Sequence, residues 1–138
     1  MVDLATKYPD AHRFKFGDNR VLCEALTALV LAGRKTATCW PLADTGIGEP
    51  MLGPGDIALY TDWNGVPVVA VAFTSIEIMA FNEVPESFAL AEGENDSLDG
   101  WRRDHRLYFE RNRGWAADMM LVCERFRIVE RADAPSAP

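Results

Sequence analysis

The stretch Gly33-Arg34-Lys35-Thr36-Ala37-Thr38 lies between a predicted helix and a predicted strand, and the rest of the chain is organised around it. Before it, apolar residues recur at the spacing of one helical face: Leu22, Ala25, Leu26, Leu29 and Val30. Gly33 stands where a helix commonly ends in a positive φ. The residues that follow, up to Trp40, are mostly β-formers. We therefore predict a helix over about Arg20–Ala32, a turn at Gly33, and then a strand.

The polar residues of this junction allow two interpretations. Alternate side chains of an extended segment share a face, so Thr36 and Thr38 are expected on one side, with Lys35 close to them at the turn. An ammonium and a hydroxyl in this arrangement can hold an anion or an amide carbonyl. Basic residues at the C-terminal end of a helix are also ordinary partners of its dipole. Spacing alone therefore leaves a functional and a purely structural interpretation open.

Gly33, Lys35 and Thr38 match a G-x-K-x-x-T run, and four further stretches follow it in order: Gly55-Asp56, Ala91-Glu92-Gly93-Glu94, Ser97-Leu98 with Trp101-Arg102 and His105, and Leu121 to Phe126. Together these blocks resemble the ASCH family, small domains related in fold to the PUA RNA-binding domain. The predicted mixture of strands, helices and one hairpin favours an α+β domain. The resemblance further implies a PUA-like small curved β-barrel with surrounding α-helices.

The resemblance implies two activities, one for each of two branches of the family. One branch is similar to N(4)-acetylcytidine amidohydrolases, which release acetate from the exocyclic amide with a Thr, a Lys and a Glu. Carried over by motif, these catalytic residues are Thr38, Lys35 and Glu94. The second branch has a longer helix, here about Ser97–Asn112, and is associated with single-stranded RNA binding and cleavage. We expect a hydrolase that cleaves RNA, with the amidohydrolase and a non-catalytic binding module as alternatives.

Four further residues are candidates for substrate binding: Arg34, Trp40, Arg102 and His105. Trp40 stands where the amidohydrolase branch carries an Arg, so an aromatic surface that can stack on a base replaces a fork of donors. His105 has an ordinary pKa suited to proton transfer, although its helical face, shared with Trp101 and Tyr108, favours a core histidine over a catalytic one. The long helix predicted over 97–112 and the aromatic ring of Trp40 favour RNA over the free nucleoside as substrate.

Lys35 can act in two ways, depending on its pKa. It can take a proton from Thr38 only if burial or a neighbouring cation lowers its pKa well below the usual value of about 10.4, and Arg34 is a candidate for that cation. If Lys35 stays charged, it stabilises an oxyanion or a phosphate instead. Glu94 is expected to protonate the leaving nitrogen.

The chain is acidic, with a formal net charge of −7 over 138 residues and a pI near 4.8. This charge argues against avid non-specific binding to nucleic acid, which usually relies on a basic surface. It allows a small basic cleft, whose candidate residues are Lys35, Arg34, Arg102, Arg103 and Arg106. The expected partner is single-stranded RNA or a pyrimidine nucleoside. The sequence does not decide between a monomer and a homodimer.

No apolar run approaches the roughly 18–20 residues that span a bilayer, and the N-terminus lacks a signal-peptide pattern. Cys23, Cys39 and Cys123 show no metal-ligand spacing and are expected as reduced, buried thiols. We therefore expect a cytoplasmic protein without a cofactor or a bound metal, and a divalent-ion requirement stays open. Glu92 and Glu94 are interpreted as a solvated acidic turn rather than a cation site.

The sequence predicts one domain over residues 16–130, preceded by a lead-in over 1–15 that is irregular or forms one helical turn. Residues 131–138 are predicted as a disordered tail. The other elements are predicted as a long loop over 41–55, strands over 56–61, 66–78 and 119–129, and helices over 82–92 and 97–112. Asp96 is the predicted N-cap of the last helix.

Overall fold

The computed structural model describes residues 3–45 and 50–132 of the chain. This part forms five strands: β1 (His12–Lys15), β2 (Ala37–Pro41), β3 (Ile57–Thr61), β4 (Pro67–Ala80) and β5 (Met120–Arg131). It also forms four α-helices: α1 (Leu4–Lys7), α2 (Arg20–Leu31), α3 (Glu86–Ala91) and α4 (Leu98–Asn112). Short 3-10 turns follow β2 and β4, at Leu42–Asp44 and Phe81–Glu83. None of the helices in the described ranges is long and apolar enough to cross a membrane.

The five strands form one mixed sheet in the order β1-β3-β4-β5-β2. β1 runs parallel to β3, and the other neighbouring pairs are antiparallel. The long strands β4 and β5 change register between Ala70 and Val71, and again between Phe73 and Ser75. Such irregularities bend a strand and increase its twist, and the sheet curls into a half-barrel. The α+β, PUA-like fold is confirmed.

Two of the three groups of buried side chains hold α2, α3 and α4 against this curled sheet. One contains Val30 of α2 with Tyr60, Phe73 and Phe126 of the sheet. The other brings α3 and α4 onto the sheet, and its buried members are Ala37, Phe81, Val84, Phe88, Ala89, Trp101, Phe109, Leu121 and Cys123. Burial of one large apolar side chain contributes about 1.5–3 kcal/mol. Helices α2 and α4 are therefore fixed separately, and a cleft remains between them.

The main difference from the predicted elements is at the N-terminus. Residues Leu4–Lys7 form the helical turn that the lead-in allowed, but His12–Lys15 form an edge strand paired with β3. The prediction of a lead-in without sheet structure was wrong there, because four residues carry little periodic signal. Part of the predicted loop, 46–49, and the predicted tail from 133 onward lie outside the described residues.

Candidate functional site

A cleft of about 780 Å³ lies between α2 and α4, with the sheet at its base. Its lining includes apolar residues of α2, such as Leu26, and residues of α4, such as Tyr108. It also includes five residues that the sequence placed in the site: Lys35, Thr38, Trp40, Glu94 and His105. The structure therefore brings these five residues together, while the catalytic and binding roles assigned to them stay predictions.

Lys35 lies at the base of this cleft, where the chain passes from α2 to β2, and its side chain is 1% exposed. Its ammonium donates to the Ala37 carbonyl at 3.0 Å, to Glu92 Oε1 at 3.0 Å and to Glu94 Oε2 at 2.7 Å. An ammonium has three N–H groups, so all of its donors have a partner. Lys35 is thus a fixed positive charge between two carboxylates.

The surroundings of Lys35 decide between its two predicted roles. Burial alone would lower the pKa of Lys35, but the carboxylates of Glu92 and Glu94 outweigh it and raise the pKa above its ordinary value. Arg34 is exposed and does not line the cleft. The idea that Arg34 lowers the pKa of Lys35 was therefore wrong. Lys35 is therefore charged at neutral pH, which is the state that its predicted role as a stabilising cation requires.

Glu92 is the buried partner that connects Lys35 to α4. Its Oε2 accepts a hydrogen bond from the indole Nε1 of Trp101 at 2.8 Å and lies 3.4 Å from Nε2 of His105. Burial would raise the pKa of Glu92, but the charges of Lys35 and His105 lower it below its ordinary value. The side chain of Glu92 is only 2% exposed. The interpretation of this turn as solvated was wrong for Glu92, because buried cations and donors replace its water.

His105 belongs to the apolar face of α4 and also faces the cleft. Its ring stacks on Trp101 with 4.3 Å between centroids, and Nδ1 lies 2.9 Å from the Trp101 carbonyl oxygen. Since a carbonyl only accepts, Nδ1 carries a proton and Nε2 points toward Glu92. Burial would lower the pKa of His105, but the attraction of Glu92 raises it above the ordinary value. The interpretation as a core histidine describes its packing, and its proton-transfer role stays a prediction.

Gly93 allows the two glutamates to reach Lys35. Its φ is +74°, and a Cβ at this position would lie 2.4 Å from the carbonyl oxygen of Arg34. Only glycine fits both the left-handed backbone and this close approach. The backbone contact continues at Thr36, whose amide donates to the Ala91 carbonyl at 2.8 Å. The segment after α3 is thereby held against the start of β2.

Thr36 and Thr38 do not lie on a common face, contrary to the prediction. The hydroxyl of Thr36 is exposed and donates to the Ala91 carbonyl at 3.3 Å. Thr38 is half-buried and lines the cleft, and its partner in the register of β2 and β5 is the buried Glu124. The strand begins only at Ala37, so Thr36 still belongs to the turn.

The predicted basic cleft does not form. Arg102, Arg103 and Arg106 lie on another face of α4, around a separate surface groove beside Trp115. Arg102 Nη2 donates to the Asn82 carbonyl at 3.4 Å, and the guanidinium of Arg106 lies 4.1 Å from the ring of Trp115. At about 100° per residue, Arg103 and Arg106 lie about 160° and 100° around the helix from His105, and Arg102 lies about 60° from it. Among the described residues, the cations that line the cleft are Lys15, Lys35, Arg111 and Arg113.

Sequence reasoning missed two groups at the base of the cleft. Glu92 was recognised only as part of a motif, although a Glu directly before a Gly-Glu pair marks the tight turn that buries it. Cys39 was interpreted as a reduced, buried thiol, but it is half-buried, lines the cleft and has its sulfur within 4.8 Å of a carboxylate oxygen of Glu92. Burial, followed by the charge of Glu92, raises the pKa of the Cys39 thiol well above its ordinary value. No sequence spacing connects Cys39 to these partners.

A curled mixed sheet with helices on its faces, and a buried lysine at the junction of α2 and β2, define an α+β domain of the PUA-like class. A search against family profiles matched residues 12–130 to the ASCH domain. The chain belongs to the ASCH domain family. No curated protein matched it.

Two solved structures are similar over most of the chain. One is an ASCH domain from Lactobacillus crispatus JV V101, with 31% identity, a TM-score of 0.78, and coverage of 91% of this chain and 83% of that one. The other is a protein of Enterococcus faecalis V583 described under the family DUF984, with 31% identity and a TM-score of 0.80. That match covers 94% of this chain and 85% of the other.

Proposed function

We propose that this protein hydrolyses the exocyclic amide of a modified pyrimidine nucleoside, with N(4)-acetylcytidine as the expected substrate. The observation that carries this proposal is the ammonium of Lys35, held between Glu92 and Glu94 in the cleft that Thr38 also lines. Amide hydrolysis needs a nucleophile, a proton carrier and a group that stabilises the developing oxyanion. Thr38, Glu94 and Lys35 supply these in that order.

The charge of the cleft favours a nucleoside over a polyanion. At the base of the cleft, the carboxylates of Glu92 and Glu94 outnumber the ammonium of Lys35, and the predicted arginines of α4 lie around a separate groove. The negative charge at the base of the cleft would not attract a phosphodiester backbone. A neutral nucleoside has no phosphate, so this charge does not weaken its binding. The cleft volume of about 780 Å³ lies within the usual range for small-molecule sites. Aromatic side chains at its wall, Trp40 and Tyr108, supply faces on which a base can stack.

In the proposed reaction, Glu94 replaces Lys35 as the base. Its carboxylate is 21% exposed, so it meets both solvent and substrate. Glu94 takes the hydroxyl proton of Thr38, and Oγ1 attacks the acetyl carbonyl, whose developing negative charge is stabilised by Lys35. Glu94 then gives the proton to the leaving N4 atom and cytidine departs. Glu94 then takes a proton from water, which attacks the acetyl-threonine ester. Glu94 returns this proton to Oγ1 of Thr38 as the ester bond breaks and acetate leaves.

The test is to incubate the purified protein with N(4)-acetylcytidine and to measure cytidine and acetate by chromatography. Thr38→Val removes the hydroxyl at nearly constant shape, and Thr36→Val is the matched control outside the cleft. We expect turnover by the wild type, a loss of at least about 100-fold in Thr38→Val and in Glu94→Gln, and near wild-type turnover in Thr36→Val. Full activity of Thr38→Val would exclude the threonine nucleophile.

Single-stranded RNA is the second candidate substrate, and the rim of the cleft favours it. The guanidinium of Arg111 lies 4.8 Å from the ring of Tyr108, and the ammonium of Lys15 lies 4.7 Å from the ring of Trp63. Cations beside aromatic rings are typical of single-strand binding grooves. Labelled RNA, incubated with and without divalent ions, separates the outcomes: short fragments indicate a ribonuclease, and saturable binding without products indicates a binding module.

A further inference from the structure

We infer that Cys39, Glu92 and His105 form a binding site for one divalent metal ion of the zinc type. The three residues come from β2, from the turn after α3 and from α4. The thiol sulfur, a carboxylate oxygen and a ring nitrogen all lie within 4.8 Å of one another. This inference goes beyond the proposed hydrolysis and does not depend on it.

The separations are close to those of a tetrahedral site. Two ligands bound to zinc at about 2.0 Å lie about 3.3 Å apart. Nε2 of His105 and Oε2 of Glu92 are already 3.4 Å apart. A zinc–sulfur bond of about 2.3 Å places the sulfur about 3.5 Å from the other ligand atoms. The thiol of Cys39 lies within 4.8 Å of them, so it needs a movement of at most about 1.3 Å to complete the set. A side-chain rotation is therefore enough, and the backbone can stay in place.

Outer partners hold two of the ligands in the orientation that a metal requires. The Nδ1 proton of His105 goes to the Trp101 carbonyl at 2.9 Å, which directs Nε2 toward the other ligands. Oε1 of Glu92 is held by Lys35 at 3.0 Å, and Oε2 accepts from Trp101 at 2.8 Å. A ligating histidine usually donates its other N–H to an acceptor, and a ligating carboxylate is usually hydrogen-bonded. Both features are present here.

The charge of the group also fits a divalent cation, despite the nearby ammonium. Lys35 contributes one positive charge and Glu92 and Glu94 contribute two negative charges, so with a neutral imidazole the group has one net negative charge. A divalent ion that displaces the thiol proton of Cys39 adds one net positive charge and makes the group neutral. Lys35 is bound on Oε1, so the metal approaches Glu92 through Oε2.

The ligand set selects the metal and leaves one position open. Thiolate and imidazole ligands favour Zn²⁺ or Co²⁺ over Mg²⁺ and Ca²⁺. Cys39 and His105 line the cleft, so the fourth position of a tetrahedral ion faces the cleft. Three protein ligands with one open position are typical of catalytic rather than structural zinc sites. A bound ion would act there as a Lewis acid toward a ligand in the cleft.

The test uses the metal alone. Co²⁺ is titrated into the metal-free protein, and the thiolate-to-cobalt absorption band reports binding. We expect one Co²⁺ per chain, displaced by Zn²⁺ and not by Mg²⁺. Cys39→Ser is expected to abolish the band, and His105→Gln to weaken binding at least about 10-fold. The chain supplies matched controls in Cys23→Ser and His12→Gln, since both residues lie outside the group, and both are expected to bind as the wild type does.

A variant that fails to fold would also fail to bind, so the wild type is examined directly. X-ray absorption at the zinc edge is expected to show one sulfur neighbour at about 2.3 Å. A wild-type chain that binds neither Co²⁺ nor Zn²⁺ saturably would overturn the inference. So would a zinc site without sulfur, or Cys39→Ser and His105→Gln variants that bind as tightly as the wild type. None of these outcomes depends on turnover of a nucleoside.

Discussion

At the scale of single residues, the site depends on the buried charge of Lys35. Its side chain is 1% exposed, and the three donors of the ammonium are matched by one carbonyl and two carboxylates. A buried ion pair of this kind contributes little net stability, but removal of one partner leaves the other charge buried without compensation. The pair therefore fixes the positions of Glu92 and Glu94 more than it stabilises the fold.

We expect Lys35→Met to lower the free energy of unfolding by about 3–5 kcal/mol, because Glu92 then loses its strongest partner inside the protein. The double variant Lys35→Met/Glu92→Gln should recover part of this loss, since it removes the stranded carboxylate as well. Urea denaturation of the wild type, both single variants and the double variant measures the coupling. A loss below about 1 kcal/mol in Lys35→Met would show that Glu92 does not depend on this pair.

Substitutions at two glycines distinguish the cost of a left-handed backbone from the cost of a steric clash. Gly33 and Gly93 have φ values of +78° and +74°, but only Gly93 has backbone within 4 Å of the position a Cβ would take. Gly33→Ala should cost about 1–2 kcal/mol, the usual penalty of a left-handed residue. Gly93→Ala should cost about 2–5 kcal/mol, because the Arg34 carbonyl must also move. Equal losses in urea denaturation would mean that the turn relaxes freely.

At the scale of secondary-structure elements, α4 carries the histidine of the site on its inward face. Trp101, His105 and Phe109 recur on that face, and Trp101 also stacks on Phe81 with 5.3 Å between centroids. The helix begins after Ser97, whose hydroxyl accepts from the amide of Gly100 at 3.0 Å. The prediction of Asp96 as N-cap was wrong by one residue.

The N-cap assignment of α4 is tested with two neighbouring variants. Ser97→Ala should lower the free energy of unfolding by about 1 kcal/mol, because an amide of the first turn loses its acceptor. Asp96→Ala should change it by less than about 0.5 kcal/mol, as expected for an exposed residue without such a contact. Both values come from thermal or urea unfolding. A larger loss of unfolding free energy in Asp96→Ala than in Ser97→Ala would show that Asp96 is the N-cap.

At the scale of the whole molecule, the start of α2 is tied to the end of α4. Asp18 accepts from Arg111 Nε at 2.7 Å and from Asn112 Nδ2 at 2.8 Å. More than ninety residues separate these partners in the chain. The residues after Asp18 lead into one wall of the cleft, and Arg111 belongs to the other wall. The interaction therefore holds the two walls at a fixed distance.

This tie should make stability depend on pH in a defined direction. The hydrogen bonds from Arg111 and Asn112 lower the pKa of Asp18 below its ordinary value of 3.8. A depressed carboxyl pKa stabilises the fold fully above the unfolded value, and the contribution is lost as pH falls toward the folded value. We expect Asp18→Asn to cost at most about 1 kcal/mol at pH 7, because the pair is partly exposed. The difference from the wild type should shrink between about pH 5 and pH 2.

Urea denaturation of both proteins at several pH values measures this difference. Added salt should also reduce it at pH 7, since partly exposed charges are screened. A difference that stays constant down to pH 2 would mean that Asp18 acts through its shape and not through its charge.

The sequence by itself determined the elements and the family. Helix and strand periodicities predicted α2, β3, β4, α4 and β5 to within about two residues at each end, because these signals are local. The G-x-K-x-x-T run pointed to Lys35 and Thr38, and the later Ala-Glu-Gly-Glu block pointed to Glu94. The structure brings all three to one cleft.

Only the tertiary structure decided how these groups meet. Glu92 and Glu94 contact Lys35 across 57 and 59 positions of sequence, and that pairing sets the charge of the lysine. The direction of Arg102, the pairing of β1 with β3 and the approach of Cys39 to His105 were decided in the same way. Periodicity predicts which side chains turn inward, but the partners they meet depend on contacts between distant segments. Those contacts exist only once the chain has folded.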